Sequence, residues 1–170
     1  MAALGRRYFV GGAAALGTTA LWPARPGHAE TMGFDEARHL LSRATFGATP
    51  AEIRTVAAMD YESAIDRLLT SLHNDALTAP PAWSGPPDDQ ARALCNWWIE
   101  EMLATDQPLV ERMTLFWHNH FTSSLGKVGS ASAMYRQNAL FRREAFGNFA
   151  RLLKTVARDP AMLIYLDGAQ

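Results

Sequence analysis

Apolar positions recur every three or four residues along most of the chain, and no segment keeps the strict apolar–polar alternation of a half-buried strand. The pattern predicts helices over Asp35 to Thr45, from Pro50, from Tyr61 to Leu72, and from Asp88 or Asp89 to Ala104. It predicts further helices from Pro108 to Trp117–His120, Ser130 to Phe146, Asn148 to Arg158, and Pro160 to Asp167. Local punctuation agrees with these bounds. Thr49-Pro50-Ala51-Glu52 is a capping box with proline at the first helical position, where its missing N–H costs nothing. Asp60 caps the next helix, and Asp106 with Pro108 repeats the cap-and-proline start. Residues 73–87, rich in Pro, Ala, Asp and Ser, read as a surface loop, and residues 123–129, with two glycines, as a shorter one. The expected fold is all-α, an irregular domain of about seven short-to-medium helices.

The first residues follow a different logic. Arg6 and Arg7 precede Tyr8-Phe9-Val10, and a thin apolar run of Gly, Ala and Thr extends to Trp22. Gly27-His28-Ala29 places small residues where a signal peptidase reads them. Residues 1–29 are therefore expected to be a twin-arginine signal peptide cleaved after Ala29. The apolar run is short of the roughly 20 residues a membrane span needs, so no stable span is expected after cleavage. The expected location is periplasmic or extracellular. Because the twin-arginine route carries folded proteins, it also raises the expectation of a metal or organic cofactor.

Removing residues 1–29 removes three of the 16 basic residues and none of the 17 acidic ones, so the formal charge moves from −1 to −4. That balance argues against nucleic acid as the main partner. A single cysteine, Cys95, excludes an internal disulfide, and its neighbours Leu94, Trp97 and Trp98 suggest a buried apolar role.

The most concentrated chemistry lies in Phe116-Trp117-His118-Asn119-His120-Phe121. His118 and His120 are the candidate ligands for a divalent metal. They share an ion readily only if the segment is extended, because on a helix residues two apart point about 200° apart. On the helical wheel His120 joins the apolar stripe of Leu109, Met113 and Phe116, which is expected to be buried. His118 falls on the opposite face, two turns beyond Glu111. The ordinary alternative is structural: a hydrogen-bonded core histidine at position 120 and a helix C-terminal contact at 118. Asp35, His39 and Arg43 share one face of the first helix and, with Glu111, are candidates for a polar pocket; a solvated, salt-bridged stripe is the plainer reading. Phe141-Arg142-Arg143-Glu144 reads as a helix with one solvated face rather than an anion site.

Three segments carry a family resemblance: Ala37 to Gly47, Glu111 to Phe121, and Ala157 to Asp167. Together they resemble the bacterial DUF1800 family, and the likeness extends from Phe34 onward. The resemblance implies a helical, often exported protein considerably longer than this chain. It implies that an Asn-Glu-Asn-Tyr-Ala-Arg-Glu-Leu type helix follows Asp167, so residues 30–170 are expected to be the N-terminal portion of the domain. It assigns no activity.

Two functions stay open on these residues. One is a non-catalytic envelope scaffold or binding module with a protein partner, in which Trp83, Trp97, Trp98 and Trp117 form core or contact surface. The other is an exported metal- or cofactor-dependent enzyme with its site near His118 and His120.

Overall fold

The computed structural model describes residues 31–70 and 72–168, so Arg6, Arg7 and the cleavage position after Ala29 lie outside the described residues. Among the described residues the chain forms nine helices and no strand. The N-terminal three are α1 (Phe34–Ala44), α2 (Pro50–Ala57) and α3 (Tyr61–Leu69). After irregular chain come α4 (Pro87–Ala104), α5 (Pro108–His120) and α6 (Leu125–Val128). The last three are α7 (Ala131–Arg143), α8 (Phe149–Val156) and α9 (Pro160–Tyr165).

Side-chain caps set most of the starts. Thr49, Asp60, Ser130, Asn148 and Asp159 each accept a hydrogen bond from the backbone N–H three residues on. This supplies one of the orphan donors at a helix N-terminus. The Thr49–Glu52 capping box forms in full, as its letters predict. The one helix absent from the sequence reading is α6, four residues long and too short to show a period. Gly129 ends it in the left-handed conformation, φ 65°, which a residue without Cβ adopts at no steric cost.

Three apolar clusters hold the helices. Met32, Ala37, Leu41, Ile53, Val56 and Ala64 join α1, α2 and α3. Leu94, Trp97, Val128, Ala131, Met134 and Ala161 join α4, α6, α7 and α9. Leu140, Phe141, Leu152, Val156 and Met162 join α7, α8 and α9. The second and third clusters both draw on α7, which therefore runs through the middle of the C-terminal helices. Of the four tryptophans among the described residues, Trp97 is buried, while Trp83, Trp98 and Trp117 are half-buried against these clusters.

Cys95 is exposed, against the expectation of burial. The buried face of α4 is Leu94, Trp97 and Glu101. One residue beyond Leu94 is about 100° around the helix, which turns Cys95 to solvent. Glu101 itself is an unexpected member of that face. Its carboxylate accepts from the backbone N–H groups of Leu77 and Thr78, both at 2.8 Å, and from the Thr78 hydroxyl. Trp97 Nε1 donates to the same hydroxyl at 2.9 Å. One buried carboxylate thus fastens the irregular segment before α4 to the helix that follows it.

Glu101→Ala should loosen that segment. With charge-assisted bonds to two amides removed, a loss of about 2 kcal/mol in urea unfolding and faster proteolysis within residues 72–86 are expected. Unchanged cleavage there would show that the tie is not what holds the segment.

Candidate functional site

Polar residues line the contact between α5 and α7, where an apolar seam is the usual arrangement. On α5, Glu111, Thr114 and His118 follow one another at helical spacing; on α7, Asn138 and Arg142 are one turn apart. Glu111 meets Arg142 and His118 meets Asn138, so the two helices run antiparallel. Glu111 Oε1 accepts from Arg142 Nε at 2.5 Å, and Oε2 accepts from Arg142 Nη2 and Trp98 Nε1, each at 3.0 Å. Both charged side chains are almost fully removed from water, Arg142 at 2% and Glu111 at 3% exposure. The guanidinium also lies 5.4 Å from the centre of the Trp97 ring, a cation–π placement. Thr114 bonds the Val110 carbonyl and so is not orphaned.

His118 sits one level along this ladder. Its ring is packed between Trp98 and Phe141, with centroids 4.6 and 4.7 Å away, and its Nε2 lies 3.2 Å from Asn138 Nδ2. With that amide donating, Nε2 is the acceptor and the proton sits on Nδ1. Burial, with a smaller contribution from the nearby Arg142 charge, lowers the His118 pKa from 6.5 to about 4. The imidazole is therefore neutral at physiological pH. Asn138 Oδ1 is a buried oxygen with no hydrogen-bond partner among the described residues.

This reverses the face expected for α5. His120 is exposed, and so is Phe116; His118 is the half-buried histidine beside the fully buried Thr114 and Val110. Periodicity assigns the apolar stripe to the interior, but α7 supplies a cation and an amide that make burying the polar stripe affordable. The ring of His120 instead lies among Phe116, Trp117, Phe121 and Phe149, at centroid distances of 6.1, 5.8, 4.7 and 6.2 Å. The two histidines thus occupy different surroundings. Among the described residues no group of three or more His, Cys, Asp and Glu side chains is arranged to hold a metal.

A second polar relay runs alongside. Asp159 Oδ2 accepts from Gln137 Nε2 at 2.9 Å and from the Met162 N–H at 3.0 Å, and the Ser123 hydroxyl bonds Gln137 Oε1. The remaining sequence candidates are dispersed. Asp35 and His39 line an open depression of about 410 Å³ with Met32, Leu40, Tyr61 and Ile65. Arg43 and Glu111 are not part of it. Asp35 instead pairs with Arg38 at 3.4 Å, both exposed. Arg112, the neighbour of Glu111, reaches α1 by donating to the Ser42 and Arg43 carbonyls, each at 3.3 Å.

A family model described as a protein of unknown function, DUF1800, matches residues 39–170. The chain belongs to the DUF1800 family. No curated protein and no solved structure matches it. The span matched to DUF1800 contains the whole α5–α7 ladder and both histidines, and excludes Asp35. In this DUF1800 chain none of three surface cavities, of about 610, 590 and 410 Å³, is lined by Glu111, His118, Asn138 or Arg142. No helix of the described residues is long and apolar enough to cross a membrane.

Sequence reasoning passed over Gln137, Asn138 and Asp159, placed Trp98 only as core or contact surface, and read Arg142 within a segment with one solvated face, whereas Arg142 is buried against Glu111. A signal for two of them exists: Met134, Asn138, Phe141 and Ala145 form one helical stripe, so Asn138 lies on an otherwise apolar face, with Arg142 a turn beyond it. Such polar residues are buried only with partners.

Arg142→Met would leave the Glu111 carboxylate buried without its cation, and a loss of about 3–5 kcal/mol in denaturant unfolding is expected. Glu111→Gln/Arg142→Met should recover a part of it. A single variant as stable as the parent would count against the pair as a constraint.

The His118 shift makes a separate prediction for acid. The unfolded chain takes up a proton below pH 6.5, while the folded chain, with its pKa about 4, does not. Stability contributed by the neutral ring is therefore complete above pH 6.5 and lost as pH falls, by about 2 kcal/mol between pH 6.5 and 5. The charge that acts on the ring is that of Arg142, which is paired with Glu111. His118→Gln should flatten the slope of unfolding free energy against pH there; an identical slope in parent and variant would refute the assignment.

Proposed function

We propose that this DUF1800 protein is an exported, non-catalytic binding module of the bacterial envelope, working against a protein partner in the periplasm or outside the cell. One observation carries the reading: the polar residues a catalytic site would use are spent on joining α5 to α7, whereas an aromatic surface beside them is left open. Phe116 and Phe149 are 49% and 50% exposed. They are linked through His120, with Trp117 and Phe121 in the same cluster. Leu153, one turn after Phe149 on α8, and Phe146 are exposed as well. Contiguous exposed aromatic side chains are characteristic of protein contact surfaces, where a rigid ring buries much area at low entropic cost. The pattern around Arg6, Arg7 and Ala29 supports delivery by the twin-arginine route.

The alternative, a metal-dependent enzyme using His118 and His120, is less well served. The His118 ring is enclosed by Trp98 and Phe141 and its Nε2 is engaged by Asn138.

Photo-crosslinking residues placed at Phe116 and Phe149, in protein exported by its native host, should yield one discrete protein adduct, absent when the probe stands at Glu62. No adduct, or equal adducts at all three positions, would sink the binding reading. Elemental analysis of the same exported protein provides the opposing arm. Near-stoichiometric metal that disappears in His118→Ala/His120→Ala would replace this reading with the enzyme.

A further inference from the structure

We propose that the groove between α7 and α8 binds a small ligand carrying two linked phosphate groups. The groove is a cavity of about 610 Å³, within the range of small-molecule sites. Five of its lining side chains are cationic: Arg136, Arg143, Arg151, Lys154 and Arg158. Their arrangement follows from helical spacing. Arg136, Leu140 and Arg143 form one stripe of α7. Arg151 and Lys154 form a stripe of α8 that Arg158 continues just past its end. The two stripes face the same cleft, with the buried Leu140 between them.

The charge of this groove is largely uncompensated. Glu144 engages Arg151 at 2.7 Å and lies 3.8 Å from Arg143. Asp159 also lines the groove, but its carboxylate already accepts from Gln137 and from the Met162 N–H. Among the described residues no carboxylate comes within ion-pair distance of Arg136, Lys154 or Arg158. The segregation is visible along the chain: apart from Arg142, which is buried against Glu111, residues 131–160 hold five basic and two acidic side chains, in a protein with 16 basic and 17 acidic overall. Three like charges sharing one concavity repel one another, and a compact anion between them relieves that repulsion. A diphosphate carries about three negative charges at neutral pH and presents the oxygen geometry that guanidinium forks bond in pairs. The small size of the groove, on a chain of net acidic balance, favours such a ligand over a polyanionic polymer.

The groove is independent of the α5–α7 ladder and of the aromatic surface, so it stands or falls separately from the binding-module reading. Isothermal titration of the full chain with inorganic pyrophosphate is the direct test, alongside Arg136→Ala, Lys154→Ala and the double variant. Both residues lack an ion-pair partner, so the thermal melt should not move. Saturable binding that weakens at least tenfold in the double variant, with the melt unchanged, is expected. Phosphatidylcholine vesicles doped with a polyprenyl diphosphate, compared with undoped ones, separate the two sources of this chemistry. Binding to doped vesicles alone, lost in the double variant, supports a lipid-linked diphosphate. No binding in either arm, binding indifferent to the substitutions, or citrate binding as tightly as pyrophosphate would overturn the proposal.

Discussion

Arg142, in the last turn of α7, and Glu111, in the first turn of α5, meet with almost no access to water, and the arrangement of neighbouring side chains answers to that fact. A carboxylate and a guanidinium taken out of water repay their desolvation only when geometry is good and the remaining hydrogen-bonding capacity is used. Two donors from Arg142 and one from Trp98 occupy the carboxylate, while the Trp97 ring lies near the guanidinium. α4, α5 and α7 are therefore held in one mutual register. A rotation of α5 by one residue would move Glu111 by about 100° and strand both charges.

The same constraint explains why His118 is neutral and why the open aromatic surface exists. Once Glu111 faces α7, the residue two turns later must face it too, so His118 enters the interface and meets Asn138. Phe116 and His120, on the other side of the helix, are left outside. Packing the polar stripe inward thus displaces rings outward, where Phe116 stacks on His120 and His120 packs edge-on against Phe121 and against Phe149 of α8. A satisfied internal ion pair and an exposed aromatic surface are two consequences of one helix orientation.

Much of the local architecture was legible in the residues. The capping box at Thr49, the cap at Asp60 and the proline starts at Pro50 and Pro160 place helix N-termini where they are found, because capping depends on side chains within one turn. At α5 Pro108 alone marks the start, since the N-cap is Gln107 and Asp106 supplies no side-chain cap. The orientation of α5 was not legible. Its apolar stripe and its polar stripe are comparably continuous, and the choice between them depends on Arg142, Asn138 and Trp98, which are 13 to 31 residues away. Cys95 failed for a related reason: composition says what surrounds it in sequence, while the angle around α4 says what surrounds it in space.

The sequence by itself determined the all-α class, the helix starts and membership of the DUF1800 family, since each rests on short-range periodicity, capping chemistry or matched residues. Tertiary structure alone decided which stripe of α5 is buried, that Glu101 ties down the segment before α4, and that five cations from α7, α8 and the turn after α8 line one groove. Those outcomes depend on which charges and donors meet across helices. Coulombic and hydrogen-bond partners act through space, and separation along the chain carries no record of them.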